Sequence, residues 1–365
     1  MGIINTIYIK KYFQGKEIQM KCFEKYRFFV QNQGIPVTVF VITYNRCETL
    51  KKTINSVIKQ SMKNIAIVIL DNASTDNTKK IGSEFTDNRV FYYCQKENVG
   101  GIGNINTAIS LAESPFFIIF HDDDVMCEKL VEEEYMTICE NEMDAVSSRA
   151  LLLDVNGKEN CKTNNFNKNL FFTGNQYMEH VLRGGESAIF PTVIYRTKFI
   201  RNNQLFVDPK AGPCCDYFFL SEICMKNGKL MIMDKKLIER VCHSGQDSIR
   251  SEFWMNIQVL NYFTSDSRYT KTINQYGSYF LKAYKRYIPH LLANYSEKKV
   301  EKNVVDTVLD GINLDLFQEC LDKKIVKSLL VLYRHFENFS GRMFSIIRYC
   351  LRKGKQLEGM ASERK

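Results

Sequence analysis

Three consecutive aspartates, Asp122 to Asp124, directly follow the apolar run "FFIIF" at residues 116–120. Adjacent carboxylates repel one another unless a cation lies between them or water surrounds them. In an extended segment, the side chains of Asp122 and Asp124 would project to the same side. Two carboxylates, completed by phosphate oxygens and water, suit Mg²⁺ or Mn²⁺. The spacing therefore predicts a metal site at Asp122 and Asp124; a solvated turn is the alternative, and His121 would form a pocket wall.

Polar residues also follow two other apolar runs. Asp71 comes directly after "IAIVIL" and could accept a hydrogen bond from a base or ribose, as the acidic residue after a strand does in dinucleotide folds. The loop "ENVGGIGN" does not match G-x-G-x-x-G, which argues against a dehydrogenase. Its glycines, including Gly100, would let backbone amides approach a sugar nucleotide, with Asn98 and Asn104 as polar contacts. A plain helix-entry loop is the alternative.

These residues are positioned by an alternation of strands and helices. The apolar runs "VTVFVIT" (37–43), "IAIVIL" (65–70), "RVFYY" (89–93) and "FFIIF" predict four strands, and helical patterns separate them. Such alternation is typical of a parallel α/β sheet, whose ligands gather outside the carboxyl ends of the strands. Further along, the pattern is mixed, with a helix at 216–226 that should stop at Asn227 and Gly228. Beyond residue 251 it is mostly helical.

Composition limits the protein class. The chain has 365 residues, 45% hydrophobic and 25% charged, which suits a globular protein with one large domain and an appendage. The net charge of +9 is concentrated at the two ends of the chain. Twelve cysteines without a C-x-x-C pair or a secretory signal predict reduced thiols in a cytoplasmic protein. No apolar run reaches the roughly 20 residues that cross a bilayer, so an integral membrane protein is not predicted.

Four linked stretches resemble a known family. "VTVFVITYNR", "VILDNASTDNT", "ENVGGIGNINTAI" and "FFIIFHDDDVM", in this order, are similar to the nucleotide-binding half of family 2 glycosyltransferases of the GT-A fold. The resemblance is dense over residues 36–130. It implies a Rossmann-like, mostly parallel central α/β sheet flanked by helices, and an enzyme that uses a nucleotide-sugar donor. UDP is the nucleotide that the family favours, and dTDP is a second option.

The resemblance also implies roles for individual residues. The donor-binding residues would be Thr43, Tyr44, Asn45, Arg46, Asp71, Asn98, Gly100, Asn104, Asp122 and Asp123. Asp122 and Asp124 would hold Mn²⁺ or Mg²⁺ on the donor diphosphate. His243 resembles a C-terminal histidine that approaches the metal or diphosphate in some relatives, although a structural role fits a lone histidine equally well.

The catalytic base is expected in "GPCCDYFFLSEI". This stretch is similar to a helix that opens with an acidic pair in many relatives, where the second acid is the base. Here Cys215 replaces the first acid, which leaves Asp216 alone. Asp216 as a helix N-cap is the alternative. Attack by the acceptor hydroxyl in one displacement would invert the anomeric centre.

The predicted organisation has three parts. Residues 1–35 form a basic N-terminal arm, residues 36–250 the GT-A domain, and residues 251–365 a mainly helical C-terminal region. Within the GT-A domain, residues 36–130 bind the nucleotide sugar and residues 131–250 bind the acceptor, which is a saccharide or lipid-linked saccharide of cell-surface polysaccharide or glycoconjugate synthesis.

The basic C-terminal region leaves several partners open. Its cationic residues include the cluster Arg342, Arg348, Arg352, Lys353 and Lys355. They could give peripheral contact with an anionic membrane at its inner face, but a solvated face or a homo-oligomer through the C-terminal helices fits the same pattern. Nucleic acid is not predicted as a partner, because no recognition motif is present. Two other functions also remain open, namely an inactive sugar-binding or nucleotide-binding scaffold and a nucleotidyltransferase.

Overall fold

The computed structural model describes residues 17–153, 168–183, 185–241, 255–296 and 300–335. The chain divides into two compact units. Unit 1 comprises Met1–Tyr177 and Ser187–His243, and unit 2 comprises Met178–Glu186 and Ser244–Lys365. None of the helices within the described residues is long and apolar enough to cross a membrane.

A mixed sheet forms the centre of unit 1. The strands are β1 (Val37–Thr43), β2 (Ile65–Asp71), β3 (Val90–Cys94), β4 (Phe116–His121), β5 (Val125–Met126), β6 (Ala145–Leu153), β7 (Leu170–Phe172), β8 (Ile194–Arg196) and β9 (Leu230–Val241). Their order is β3-β2-β1-β4-β8-β6-β9-β5, with β7 also paired to β9. The first four strands in this order are parallel, as the apolar runs predict. Beyond β4 the sheet is mixed, because β8 is antiparallel to both of its neighbours.

Helices cover this sheet. Those of unit 1 are α1 (Glu17–Gln33), α2 (Cys47–Ile58), α3 (Thr78–Ser83), α4 (Gly100–Leu111), α5 (Leu130–Glu140), α7 (Thr197–Asn202) and α8 (Cys215–Met225), and α6 (Gln176–Leu182) runs across the sequence boundary between the units. The core is built from β-branched strand residues and one face of each helix. In α2, Leu50, Ile54 and Val57 are fully buried and form the apolar face of this helix.

Part of the predicted N-terminal arm is a packed helix. Helix α1 buries Tyr26 against Phe40 and Phe91, with ring centroids 6.1 and 5.8 Å apart. The Tyr26 hydroxyl lies 2.9 Å from Thr38 Oγ1, which in turn lies 2.7 Å from Ser114 Oγ. This chain of buried hydroxyls joins α1 to β1 and to the residues before β4, so that each polar group finds a partner inside the core.

Unit 2 is helical in its described residues. Its helices are α9 (Met255–Ser265), α10 (Thr270–Ser296), α11 (Lys302–Asp310) and α12 (Leu321–His335). In α12, Val326, Leu329 and Tyr333 are buried and form one apolar face. The Tyr284 hydroxyl of α10 donates to Asn261 Oδ1 of α9 at 2.9 Å. The helical C-terminal region expected from the sequence is therefore confirmed.

Candidate active site

The polar residues predicted to bind ligands lie at the carboxyl edge of the parallel strands. The strand register sets Thr43 opposite Asp71, and Asp71 opposite Cys94. On the other side of β1, Ile42 lies opposite His121. The last residues of four neighbouring strands thus form one row, as expected for an α/β sheet whose crevice binds a ligand.

The three aspartates after β4 form a turn rather than an extended segment. The Thr53 hydroxyl of α2 lies within hydrogen-bond distance of the backbone carbonyls of Asp122 (3.0 Å) and Asp124 (2.9 Å), which fixes the turn. Side chains in a turn do not alternate as they do in a strand. As a result, the group whose ligand atoms all lie within 4.8 Å of one another consists of His121, Asp123 and Asp124. Asp122 is not in that group, and His121, expected to form only a pocket wall, is.

Asp124 is a buried carboxylate without a hydrogen bond. It is 1% exposed, and neither of its side-chain oxygens has a hydrogen-bond partner among the described residues. Arg240 Nε lies 3.7 Å from Asp124 Oδ1. Burial raises the pKa of Asp124 to about 7, and the charges of Asp123 and Asp122 add to this, while Arg240 opposes it. The site therefore holds a carboxylate whose negative charge is poorly compensated by the protein itself.

The neighbours of Asp124 are also shifted by burial. Burial raises the pKa of Asp122 to about 6, and the nearby Asp123 adds to the shift, while the Tyr44 backbone N–H and the Arg46 charge act in the opposite direction. Burial lowers the pKa of His121 to about 4. The His121 imidazole is therefore neutral at pH 7 and has a free lone pair for a ligand.

Arg240 is a residue of this site that the sequence interpretation missed. The antiparallel pairing of β5 with β9 sets Val125 opposite Glu239 and Met126 opposite Ile238. One step further along the same register, Arg240 comes opposite Asp124. The stretch "KKLIERV" carries several charged residues, so its sequence does not single out Arg240, and only the β5–β9 pairing shows that Arg240 faces Asp124.

Asp216 lies in the first turn of α8, as its second residue and not at its N-cap. Its Oδ1 accepts a hydrogen bond from the Tyr217 backbone N–H at 2.9 Å. Burial raises the pKa of Asp216 to about 6, and the charge of Arg240 partly opposes the shift. Arg240 thus acts electrostatically on both Asp124 and Asp216. Burial, helped by the Asp216 charge, raises the pKa of Cys215 to about 12, so the thiol that replaces the first acid is neutral.

Asp71 is fully buried, and both of its carboxylate oxygens accept hydrogen bonds. Its Oδ1 accepts from the Ser74 backbone N–H at 2.9 Å, and its Oδ2 accepts from the Tyr92 hydroxyl. Ser74 Oγ in turn accepts from the Asn45 backbone N–H at 2.9 Å. Asp71 therefore organises the loops that follow β1 and β2. Its predicted contact with the nucleoside stays a prediction.

The loop after β1 presents exposed side chains. Tyr44 is 42% exposed, and Asn45 and Arg46 are also exposed. Asn45 has a positive φ of 52°, and its Oδ1 accepts from the Thr75 backbone N–H at 2.8 Å. The Arg46 backbone N–H donates to Thr78 Oγ1 at 3.1 Å, which fixes the backbone of the loop at this residue. Tyr44 and Arg46 are thus accessible to a ligand.

Asn98 and Asn104 hold the loops together in the structure. Asn98 Oδ1 accepts from Asn72 Nδ2 at 2.9 Å and from the Gly100 backbone N–H at 2.8 Å. Asn104 is 3% exposed; its Nδ2 donates to the Leu70 carbonyl at 3.1 Å, and its Oδ1 accepts from Gln95 Nε2 at 3.0 Å. Gly100 has a positive φ of 76°, which glycine tolerates. Donor contacts by these residues stay predictions, and His243 lies outside the described residues.

Comparison with known proteins finds a family match. Residues 38–198, less than half of the chain, match the family described as glycosyl transferase family 2. Over this stretch, the chain is similar to glycosyl transferase family 2. The match covers the strands and loops of the row described above, and the resemblance read from the four motifs is confirmed. Asp216 and Arg240 lie beyond the matched residues.

Curated relatives match this chain over part of their length. Glycosyltransferase GlyG of Streptococcus pneumoniae serotype 4 is 32% identical over 112 residues, which is 30% of this chain and 37% of GlyG. WfgD of Escherichia coli, named as a UDP-Glc:alpha-D-GlcNAc-diphosphoundecaprenol beta-1,3-glucosyltransferase, is 29% identical over 105 residues. That alignment covers 29% of this chain and 42% of WfgD. The alignment thus spans less than half of either relative.

A solved structure shares the fold over a longer stretch. TarS 1-349 of Staphylococcus aureus, crystallised with UDP-GlcNAc, superposes with a TM-score of 0.51 at 16% sequence identity. The superposition covers 82% of this chain and 91% of the TarS chain. The GT-A fold implied by the sequence resemblance is confirmed.

Proposed function

We propose that this chain is a glycosyltransferase that moves a sugar from a UDP-sugar donor to a hydroxyl of a lipid-linked saccharide. The reaction requires Mn²⁺ or Mg²⁺ and inverts the anomeric centre. The family of residues 38–198 supports the reaction class. The name of WfgD, which gives a UDP-sugar donor and a diphosphoundecaprenol-linked acceptor, supports the substrate classes.

One observation carries the proposal: Asp124 is a buried carboxylate without a hydrogen bond at the carboxyl edge of the parallel strands, among the residues that the structure describes. A buried polar group without a partner costs free energy, so a protein retains such a group where a ligand will satisfy it. The nearby His121 and Asp123 offer further ligand atoms. An imidazole with two carboxylates is a donor set that suits Mn²⁺ and, through its oxygens, Mg²⁺.

The residues that would hold the metal are Asp124, Asp123 and His121, with Asp122 from the sequence interpretation next to them. When bound, the metal supplies positive charge that neutralises the departing diphosphate. The protein's own contribution is to exclude water from Asp124 and to hold the turn through Thr53. His121 contributes a neutral nitrogen because its pKa is about 4. Exposed Tyr44 and Arg46 would contact the nucleoside and the diphosphate.

Asp216 is the base of the proposed reaction. Its carboxylate takes the proton of the acceptor hydroxyl as that oxygen forms a bond to the anomeric carbon and the bond to the diphosphate breaks. With a pKa of about 6, Asp216 is ionised at pH 7 but more basic than an exposed aspartate. A base whose pKa lies near the working pH is well matched to proton transfer.

An inactive scaffold is the second candidate, because Cys215 stands in place of the first acid of the family pattern. It would bind the nucleotide sugar without transferring it. This candidate shares the donor site of the first and differs only in the chemistry, so one experiment distinguishes them.

The experiment incubates the purified chain with Mn²⁺, a panel of UDP-, dTDP- and GDP-sugars, and a GlcNAc-diphospholipid acceptor. Product is measured by mass spectrometry, and donor binding by thermal shift, since a ligand stabilises the fold in proportion to its affinity. We expect one UDP-sugar to be bound and consumed, and EDTA to stop its consumption. Binding of a donor without transfer would favour the scaffold, and the absence of binding by every nucleotide sugar would overturn the proposal.

A further inference from the structure

Arg240 and Asp124 form an incomplete ion pair. The distance of 3.7 Å between Arg240 Nε and Asp124 Oδ1 is too long for a hydrogen bond. Arg240 Nε and both Asp124 oxygens have no hydrogen-bond partner within the described part of the chain. A strong arginine–carboxylate pair is shorter and often bidentate. The two side chains are therefore close together without a hydrogen bond between them.

Arg240 reaches Asp124 from a different element of the sheet. It lies on β9, whose antiparallel pairing with β5 sets position 240 opposite Asp124 in the turn after β4. The Arg240 side chain is 27% exposed, whereas that of Asp124 is 1% exposed. The Arg240 side chain can thus move toward solvent, whereas the buried Asp124 side chain cannot.

We propose that Arg240 is an exchangeable counter-ion that occupies the cation position beside Asp124 until a diphosphate binds. In the nucleotide-free protein, Arg240 compensates Asp124 and repels a divalent cation. When the donor diphosphate arrives, the guanidinium moves onto its oxygens, and Asp124 becomes available to the metal. The metal and the donor therefore bind together rather than independently.

Elementary electrostatics supports both parts of this exchange. A guanidinium and a divalent cation that share one carboxylate repel each other strongly in a site with little water. The planar guanidinium matches phosphate oxygens in a bidentate geometry, which makes a diphosphate a better partner than a carboxylate at 3.7 Å. Because binding free energies are linked, a diphosphate that weakens the Arg240 contact must strengthen metal binding, and the reverse also holds. The diphosphate part rests on the proposed function, whereas the effect of Arg240 on the metal alone does not.

The first measurement is the affinity of nucleotide-free protein for Mn²⁺, by electron paramagnetic resonance of the free ion. We expect Arg240→Met to bind Mn²⁺ at least about tenfold more tightly than the parent, because a repelling charge has been removed. Arg240→Lys keeps the charge and should remain close to the parent. Lys235→Met is the matched control, since Lys235 is a cation of the same strand that pairs with Glu133 away from the site. It should leave Mn²⁺ affinity unchanged.

The second measurement adds UDP. We expect UDP to raise the Mn²⁺ affinity of the parent by about tenfold or more and that of Arg240→Met by less than about threefold. If Arg240→Met without nucleotide binds Mn²⁺ as weakly as the parent or more weakly, the counter-ion role of Arg240 is wrong. Suppose that Arg240→Met binds Mn²⁺ more tightly but that UDP does not change the Mn²⁺ affinity of the parent. Arg240 would then be confirmed as the counter-ion of Asp124, and both the diphosphate exchange and the proposed UDP-sugar donor would be wrong. Arg240→Gln replaces Arg240→Met if the latter melts below the assay temperature.

Discussion

Asp216 titrates in a range that suits proton transfer at neutral pH, because burial raises its pKa to about 6. The active form of a general base is the deprotonated one, so the transfer rate should be constant above pH 7. It should fall by about tenfold per pH unit below pH 6 when metal and donor are saturating. Arg240 contributes to this profile, since its charge keeps the pKa of Asp216 from rising further.

Asp216→Asn tests this role. Transfer is expected to fall by about 10²-fold or more, because the amide cannot take a proton, and the residual rate should lose its dependence on pH near 6. A carboxyl whose folded pKa lies above its unfolded value loses stability as the pH rises between the two. The neutral variant should therefore melt at the same or a higher temperature at pH 7. Near-parental transfer would send the search for a base to Glu186, Asp208 or Glu222.

Asp124→Asn tests the metal site. The variant keeps the shape of the side chain but loses the charge, so UDP binding in Mn²⁺ should weaken by at least about tenfold, while UDP binding in EDTA changes little. Asp144→Asn is the control, because Asp144 also faces an arginine, at 3.6 Å from Arg196, but lies at the start of β6. Isothermal titration calorimetry gives both affinities. An unchanged Mn²⁺ effect in Asp124→Asn would remove this residue from the site.

The sequence predicted a role for Asp124 from its place after an apolar strand and a role for Asp216 from the family resemblance, and both roles stay predictions. Arg240 could not be found in this way. Its role depends on the antiparallel register of β5 and β9, which joins residues more than 100 positions apart. The expected pairing of Asp122 with Asp124 assumed an extended backbone, and the contact from Thr53 produces a turn instead.

At the scale of the elements, helix α8, which carries Asp216 in its first turn, ends in a closed glycine turn. The sequence predicted a stop at Asn227 and Gly228, and the structure confirms it. Asn227 has a positive φ of 64°, and the Gly228 backbone N–H donates to the Ile223 carbonyl at 2.9 Å. A Cβ on Gly228 would lie 2.6 Å from that carbonyl oxygen and 2.7 Å from Phe199 Cζ. The backbone therefore approaches too closely for any side chain at position 228.

Gly228→Ala should lower the free energy of unfolding by about 1–3 kcal/mol, because the added methyl group overpacks a closed turn. Gly101→Ala is the matched control: this glycine lies in the first turn of α4, and a Cβ added to it would meet no atom within 4 Å. It should be neutral or slightly stabilising, since alanine favours a helix. Urea unfolding followed by circular dichroism measures both. Equal stability of the two variants would contradict the close contact at Gly228.

The sequence predicted the first four strands and their helices well, because each strand is a continuous apolar run that only a doubly covered sheet explains. The mixed half of the sheet was less visible. β9 extends from Leu230 to Val241, but its second part, "DKKLIERV", is polar enough to resemble a loop. Its pairing with β5, β6 and β7 is a tertiary effect that no local pattern encodes.

At the scale of the whole chain, charge is distributed in a way that suits an anionic surface. Residues 251–365 carry a net charge of +7, whereas residues 36–250 carry −2. The basic cluster from Arg342 to Lys355 lies outside the described residues, so its peripheral membrane role stays a prediction. A lipid-linked acceptor would bring the enzyme to such a surface.

Vesicle co-sedimentation tests this role. We expect the full chain to bind phosphatidylglycerol vesicles and not phosphatidylcholine vesicles, with binding that falls steeply as salt rises. Deleting residues 337–365 should abolish the binding and leave the oligomeric state in solution unchanged. A smaller oligomer with intact vesicle binding would assign the region to contacts between copies of the chain instead.

The stretch that matches the family begins at residue 38, but the packed core of unit 1 also includes helix α1, which precedes that stretch. Tyr26 of α1 completes the buried hydroxyl chain through Thr38 and Ser114, and its ring covers Phe40 and Phe91. Without α1, the Thr38 hydroxyl and the Glu113 backbone N–H would each lose a hydrogen-bond partner, and aromatic rings of the sheet would be exposed to water as an apolar patch. The residues that match the family and the residues that form the packed core therefore do not begin at the same position in this protein.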